Sequence, residues 1–427
     1  MKTLFSSFSK QERSWIMYDW ANSVYATIVM TAIIPIFFSS VAKAAGQEGD
    51  YWWGLGSSIA MATIAILAPI IGSFSDFNGY KKKLFSIFLI LGLVFTLLFA
   101  LTTNWIVLLI GYIVSHIGFS GSCLVYDSFL TDVTTHEKMD KVSSYGYALG
   151  YIGGSTIPFL ASIALVSFGE NFGIDSILAV KISAVITVLW WGIFSIPFIK
   201  NVHQIHGKEK PENAVVSQAF RSIFVTAKDI IQNKRVFVFI LAYFFYIDGV
   251  GTVIKMSTSY GTTLGLDSTG MILALLVTQI VAVPCSILFS SLSKKYGSIK
   301  LIILAVCIYL LICIVGFVMG LGVEQNFLTN SEALRLFWML AILVGTVQGG
   351  IQAISRSYFG RLIPVEKSGE YFGFFDVFGK FASVLGPALY AFTKTLTGSS
   401  AFSILSIILL FLIALIILGV GRKHLVE

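Results

Sequence analysis

The sequence predicts an all-α polytopic membrane protein with twelve transmembrane helices in two pseudo-symmetric six-helix bundles. Three observations carry that prediction. The chain of 427 residues is 56% hydrophobic and only 12% charged, with a mean hydropathy of +0.86, more apolar than a soluble protein can keep dissolved. Its apolar residues gather into runs of membrane-crossing length. A short charged loop, Gly72-Ser-Phe-Ser-Asp76-Phe-Asn-Gly79-Tyr-Lys81-Lys82-Lys83, has a degraded echo between Ser290 and Lys300, with Gly297 standing where Gly79 stood.

A bilayer core needs roughly 20 mostly apolar residues per helix. Twelve runs meet that test, at 14–40, 52–75, 84–102, 105–130, 142–167, 177–199, 236–260, 269–293, 299–321, 334–357, 369–392 and 400–420. The first is too long for a signal-peptide core of roughly 7–15 residues, so no cleavable leader is expected. The charged loop joins the second and third runs, and its echo joins the eighth and ninth. The one substantial hydrophilic stretch, about 200–234, separates the sixth run from the seventh. The expected organisation is therefore an N-terminal six-helix bundle (1–199), a cytoplasmic linker (200–234) and a C-terminal six-helix bundle (235–427).

An even number of spans puts both termini on one side. That side collects Lys2, Lys10, Arg13, Lys81, Lys82, Lys83, Lys138, Lys141, Lys200, Lys208, Lys210, Arg221, Lys228, Lys234, Arg235, Lys294, Lys295, Lys300, Arg356, Arg361, Lys367, Arg422 and Lys423. The other side holds Lys43, Arg335 and Lys394, with Lys181 near a helix start. The positive-inside rule then makes both termini cytoplasmic, in a multi-pass protein of the cell membrane. The same distribution explains the net charge of +7 without a nucleic-acid partner. Cys123, Cys285, Cys307 and Cys313 lie inside apolar runs with no metal-site spacing and read as small packing residues.

An offset of 229 residues aligns Asp19 with Asp248, Ser128 with Ser357, Glu137 with Glu366, Lys138 with Lys367, Gly150 with Gly379 and Pro158 with Pro387. The cluster at 128–158 falls at the same topological place in each half, as in a duplicated transporter bundle. The layout and the Gly72/Asp76/Gly79/Lys81 loop resemble the major facilitator superfamily. More narrowly, Trp15-Ile-Met-Tyr18-Asp19-Trp20-Ala21-Asn22-Ser23-Val-Tyr25-Ala26-Thr27 resembles the first-helix signature of its vacuole-effluxer-like (unknown major facilitator) branch. Tyr246-Ile-Asp248-Gly249-Val250-Gly-Thr252 is similar to that branch's seventh helix. Gly349-Gly350-Ile-Gln352-Ala-Ile-Ser355-Arg356-Ser357, Pro364, Phe372-Gly373, Gly379-Lys380 and Gly386-Pro387 resemble its tenth and eleventh. Asp127 and Gly251 depart from the pattern, where Asn and Gln are usual.

A charge at the bilayer centre costs at least roughly 2.5–3.5 kcal/mol, so each one needs a reason. Asp19, Asn22 and Ser23 share a face of the first span, beside Tyr18 and Tyr25. Asp248, Thr252, Lys255 and Ser259 form a stripe on the seventh, and His116, Ser120, Cys123 and Asp127 on the fourth. Gln348, Gln352, Ser355 and Arg356 lie on the tenth span, Asp376 and Lys380 on the eleventh. The resemblance implies that spans one, four, seven and ten line a central passage. Asp19, Asn22, Tyr25, His116, Asp248, Thr252, Lys255, Gln348, Gln352 and Lys380 are therefore the candidates for solute binding or ion coupling. The competing structural reading is that these groups are interhelical hydrogen bonds and buried pairs holding the bundle together.

A second group marks a cytoplasmic gate. Asp127 and Asp132 correspond, at the same offset, to Arg356 and Arg361, and opposite charges at related positions suit bridges that form when that side closes. Asp76, framed by Gly72 and Gly79 and followed by Lys81, suits the N-terminus of the eleventh span near Gly369, where the helix dipole favours an anion. No Walker A loop, zinc cluster, HExxH or nucleophile elbow is present, so no enzyme activity, cofactor or metal site is expected. The expected function is secondary transport of a small polar solute by alternating access. The resemblance, to a branch that includes vacuolar exporters returning amino acids to the cytosol, implies an amino acid as the leading class. Asp19 and Lys255 would suit a zwitterion, a chemistry not unique to amino acids, and a coupled proton is a candidate driving ion. Export of amphipathic drugs or metabolites is one alternative, suggested by Trp15, Tyr18, Trp20, Tyr25, Tyr243 and Tyr246. A non-transporting receptor or scaffold is the other. The expected partners are a small-molecule solute and the lipid bilayer, with the chain acting as a monomer.

Overall fold

A computed structural model describes residues 7–154, 156–209 and 215–425, and nearly all of them are helical. Lys2 and Lys210, counted above among the basic residues, lie outside the described residues. Among the described residues twelve helices are long and apolar enough to cross a membrane. They run Lys10–Ala44, Gly49–Ser75, Lys81–Leu101, Trp105–Val133, His136–Phe172, Ser176–Asn201, Lys234–Thr263, Leu273–Tyr296, Ser298–Glu324, Asn330–Leu362, Val365–Thr397 and Ser400–Val420. The chain is a multi-pass membrane protein.

Most helices outrun the apolar segments that announce them, because polar residues beyond each run satisfy the end of the helix. Ser9 and Glu12 form a reciprocal capping box at the start of the first span. Asn104, Asp175, Asn233 and Ser399 accept from the free amides that open the fourth, sixth, seventh and twelfth spans. The loops after the second and eighth spans turn on Gly79 (φ +79°) and Gly297 (φ +88°), a conformation that disfavours residues with a Cβ.

The first and fifth spans are not single regular α-helices. The first is α-helical over Lys10–Val24, a π-helix over Tyr25–Ala32 and α-helical again over Ile34–Ala44. Pro35 sits in the first turn of that last piece and has no N–H to continue the ladder. The fifth contains separate helices, Met139–Gly153 and Ile157–Phe168, the second with Pro158 in its first turn.

By internal packing the chain divides into two compact units, Met1–Thr226 with Ile363–Phe374, and Ala227–Leu362 with Phe375–Glu427. The core of the first is aromatic: Trp15 stacks on Tyr126, Tyr25 on Phe119, and Tyr18 packs against Phe85 and Phe198. In the second, Tyr243 stacks on Phe375 and Tyr309 on Phe411. Trp15, Tyr18, Tyr25 and Tyr246, offered by the sequence as a lining, are fully buried, and Tyr243 nearly so. Their apolar area is buried in packing. The stretch read as a hydrophilic linker also contains an 18-residue amphipathic helix, Val215–Gln232. Its polar and apolar residues alternate with helical period, which average composition conceals.

Candidate functional site

The most developed polar structure lies at the loop after the second span. Ser75 ends that helix and Asp76 follows it, 1% exposed. Asp76 Oδ1 accepts from the Gly369 amide at 2.7 Å and Oδ2 from the Glu370 amide at 3.0 Å. These are free amides in the first turn of the helix Ser368–Thr397, where the dipole favours an anion. The approach requires glycine on both sides. A Cβ on Gly72 would lie 2.2 Å from the Gly369 carbonyl oxygen, and one on Gly369 would lie 2.0 Å from Ser75 Oγ.

Around that contact the charges are buried and paired. Lys81 and Asp132 are inaccessible and meet at 2.8 Å. Lys81 also donates to Ser368 Oγ at 2.9 Å and lies over the Phe129 ring. The second Asp132 oxygen accepts from the Ile205 and His206 amides, at 2.8 and 2.7 Å. Glu370, fully buried, accepts from Thr226, Lys208 and Ser73. Gln204 accepts from the Gly79 amide, and a bridge between Phe77 and Lys208 lays the linker along the loop. Burial pushes the Asp76 carboxyl from its usual 3.8 up to about 7, against the pull of Lys81 and Lys208 and with a further push from Glu370.

The structure thus gathers Gly72, Asp76, Gly79, Lys81 and Asp132 into one network. Arg361 donates to Ser298 Oγ at 2.6 Å beside the Tyr358 ring, and Arg356 is buried in the tenth span. Asp127 is half-buried at the end of the fourth. Sequence reading missed Glu370, Lys208, Thr226, Ser368 and Gln204. Glu370 carried a usable signal, an acid in the first turn of a span directly after Gly369. Lys208 was hidden among residues that topology alone explains.

The remaining candidates are divided between the two units. In the first, Asp19 and Asn22 are 9% and 7% exposed on the first span. Tyr25 bonds Ser115 at 2.7 Å and Tyr18 donates to Ser122 at 2.9 Å, tying the first span to the fourth. His116 is buried beside the Tyr112 ring. In the second unit, Tyr246 bonds Ser355 at 2.6 Å and ties the seventh span to the tenth. Asp248 is fully buried. Its Oδ2 accepts from the Gly386 amide at 2.8 Å, one residue before Pro387, while Oδ1 and the Thr252 hydroxyl have no partner in the structure. Lys255 is exposed seven residues further along, and Gln352 is half-buried. Lys380 is paired with Asp376 on its own helix, four residues apart. A cavity of about 90 Å³ inside this unit is mostly apolar, with Ser257, Thr278, Gln279 and Gln348 among its lining. Gln279 Oε1 has no partner there.

The sequence profile of the family described as vacuole effluxer Atg22 like matches residues 54–139 and 131–422. The chain belongs to that family. An uncharacterized MFS-type transporter of Bacillus subtilis, YxiO, is 44% identical over 97% of this chain and 96% of its own length. Autophagy-related protein 22 of Cryptococcus neoformans is 25% identical over 71% of this chain, which spans about half (54%) of that relative. Among solved structures, the human organic anion transporter MFSD10 superposes with a TM-score of 0.71 over 96% of this chain and 99% of its own, at 13% identity. A bacterial homologue of the iron transporter ferroportin follows at 0.68 over 97% and 98%, at 12% identity. At those identities the likeness is one of fold. The protein is an MFS-type transporter.

Proposed function

We propose that this family member is a secondary transporter of the cell membrane, with both termini cytoplasmic, that moves a small polar solute by alternating access. The Asp76 network is the latch that sets which side is open. The observation that carries the proposal is the Asp76 carboxylate seated on two backbone amides in the first turn of the eleventh span. Such charge-assisted bonds form and break as a unit, because neither amide has another partner once the segment is docked. Lys208 meets Glu370, and Lys81 reaches Ser368, only with the segment 363–374 in place. Departure of that segment therefore costs several pairings at once. The latch is a two-state element.

An amino acid or related metabolite is the leading solute class. The vacuole-effluxer name of the family supports efflux of small molecules, and Asp19 and Lys255 offer an acid and a base for a zwitterion. A proton on Asp19 is the proposed coupling step. Export of amphipathic metabolites is a second reading, supported by the mostly apolar cavity between Ser257 and Gln348. The test is a stabilisation screen of the purified protein against amino acids, dipeptides, sugars, nucleosides and amphipathic amines, followed by flux in proteoliposomes. Stabilisation and flux by amino acids support the first reading. A response confined to amphipathic compounds supports the second. A chain that moves none of these under any gradient refutes the solute assignment.

A further inference from the structure

The helix Val215–Gln232 carries three faces, and the transport reading uses only the one that docks. One face docks. Ala219, Thr226 and Ile230 are buried, Ser73 donates to the Ala219 carbonyl oxygen, and Thr226 donates to Glu370 in the latch. A second face is apolar and open: Phe220, Phe224 and Ile231 are 46%, 77% and 64% exposed. At 100° per residue those three side chains fall within about 40° of one another, on the side away from the docked face. The third is a basic edge. Arg221 and Lys228, seven residues apart and both exposed, lie about 80–100° around from Phe220, with Lys234 and Arg235 following.

Two large aromatics and an isoleucine projecting from a helix are a poor fit to water. This helix is held against Ser73, in the last turns of the second span, and Glu370, in the first turn of the eleventh, so it lies at the membrane ends of two spans. An apolar stripe bordered by Lys and Arg, at that depth, has the composition of an interfacial helix. Its basic edge complements anionic headgroups.

We propose that the helix 215–232 inserts Phe220, Phe224 and Ile231 into the leaflet beside it, with Arg221 and Lys228 on anionic headgroups, and that this insertion holds Thr226 and Glu370 in place and so stabilises the docked latch. The leaflet is the cytoplasmic one under the orientation proposed above. Bilayer composition thereby sets how readily the latch opens. Loss of the lipid contact frees the helix to move, Glu370 loses the Thr226 hydroxyl, and the Asp76 bonds to the adjacent amides weaken with it.

The test uses the full chain in nanodiscs of phosphatidylcholine alone and of phosphatidylcholine mixed with phosphatidylglycerol. Hydrogen exchange at the Gly369 and Glu370 amides reads the latch, and a nitroxide at Phe224→Cys, with the native cysteines replaced, reads depth. The expected result is exchange about five- to tenfold slower in the anionic bilayer, with the nitroxide more accessible to oxygen than to a water-soluble nickel chelate. The wild-type comparison needs no mutant. In Phe220→Ser/Phe224→Ser the lipid dependence of exchange should vanish, while the Lys81–Asp132 region stays protected. Equal exchange in the two bilayers overturns the proposal, as does a water-accessible nitroxide. Immobilisation of the label that grows with protein concentration assigns the face to a second copy, and also overturns it. No solute enters these measurements, so their failure leaves the transport reading standing, and a failed flux assay leaves this one standing.

Discussion

Asp76 is shielded from solvent and satisfied by two backbone amides. Changing it to Asn keeps the shape but turns one oxygen into a donor, which then faces an N–H. That substitution should weaken docking by about 1–3 kcal/mol, the cost of an unsatisfied buried donor. Exchange at Gly369 and Glu370 should rise by about five- to a hundredfold, and cysteines introduced on that side of the molecule should become more accessible; unchanged accessibility would rule out the latch. Much of this was legible in sequence: an acid between two glycines has few reasons to exist beside a lysine cluster except to meet a helix start. What Glu370 binds was not legible, because its partners Thr226 and Lys208 come from a connection that carries no membrane signal.

At the scale of the element, helices declared themselves by hydrophobic runs and their ends by polar caps, so twelve spans could be read with their order. Their internal irregularities could not. The π-helical segment Tyr25–Ala32 begins where Tyr25 reaches Ser115 and ends just before Pro35, and only the proline is visible in sequence. The eleventh span shows the same limit. Pro387 was apparent, but not that Asp248 from another helix takes the Gly386 amide beside it. A methyl group on Gly386 would lie 2.0 Å from Thr252 Oγ1 and 2.9 Å from Asp248 Oδ1. Gly386→Ala should therefore destabilise the protein by about 1–3 kcal/mol through overpacking. Adding Thr252→Ala should recover part of that loss, so thermal unfolding of the two single variants and the double variant should be non-additive. Additive effects would mean that the seventh and eleventh spans do not meet as described.

For the molecule as a whole, two charges in opposite halves of the sequence make separable claims about transport. If Lys255 receives a carboxylate, Lys255→Met should abolish binding of carboxylated solutes while neutral ones lose little. If Asp19 carries the coupled proton, Asp19→Asn should lose uphill transport and retain counterflow exchange. Wild-type flux indifferent to both pH gradient and membrane potential would leave a facilitated carrier, with Asp19 a ligand or a structural group. Architecture at this scale was the most legible, because span number and the 229-residue repeat are written in hydropathy and in Gly, Pro and acidic residues at matched positions. Solute choice was the least legible. It depends on which side chains point where, and several that sequence placed on a lining, Trp15 and Tyr246 among them, are spent on packing.

The paired glycines at 72 and 369 restrict how this chain can change over generations. A methyl group at position 72 would lie 2.2 Å from the Gly369 carbonyl oxygen and one at position 369 would lie 2.4 Å from the Gly72 carbonyl oxygen, backbone contacts that no side-chain rotation relieves. A change at one site therefore cannot be repaired by a change at the other, since neither residue has anything left to remove. The two codons are fixed together although they stand almost three hundred positions apart. A saturation library over both, selected for function, should return glycine at each and no compensated pair.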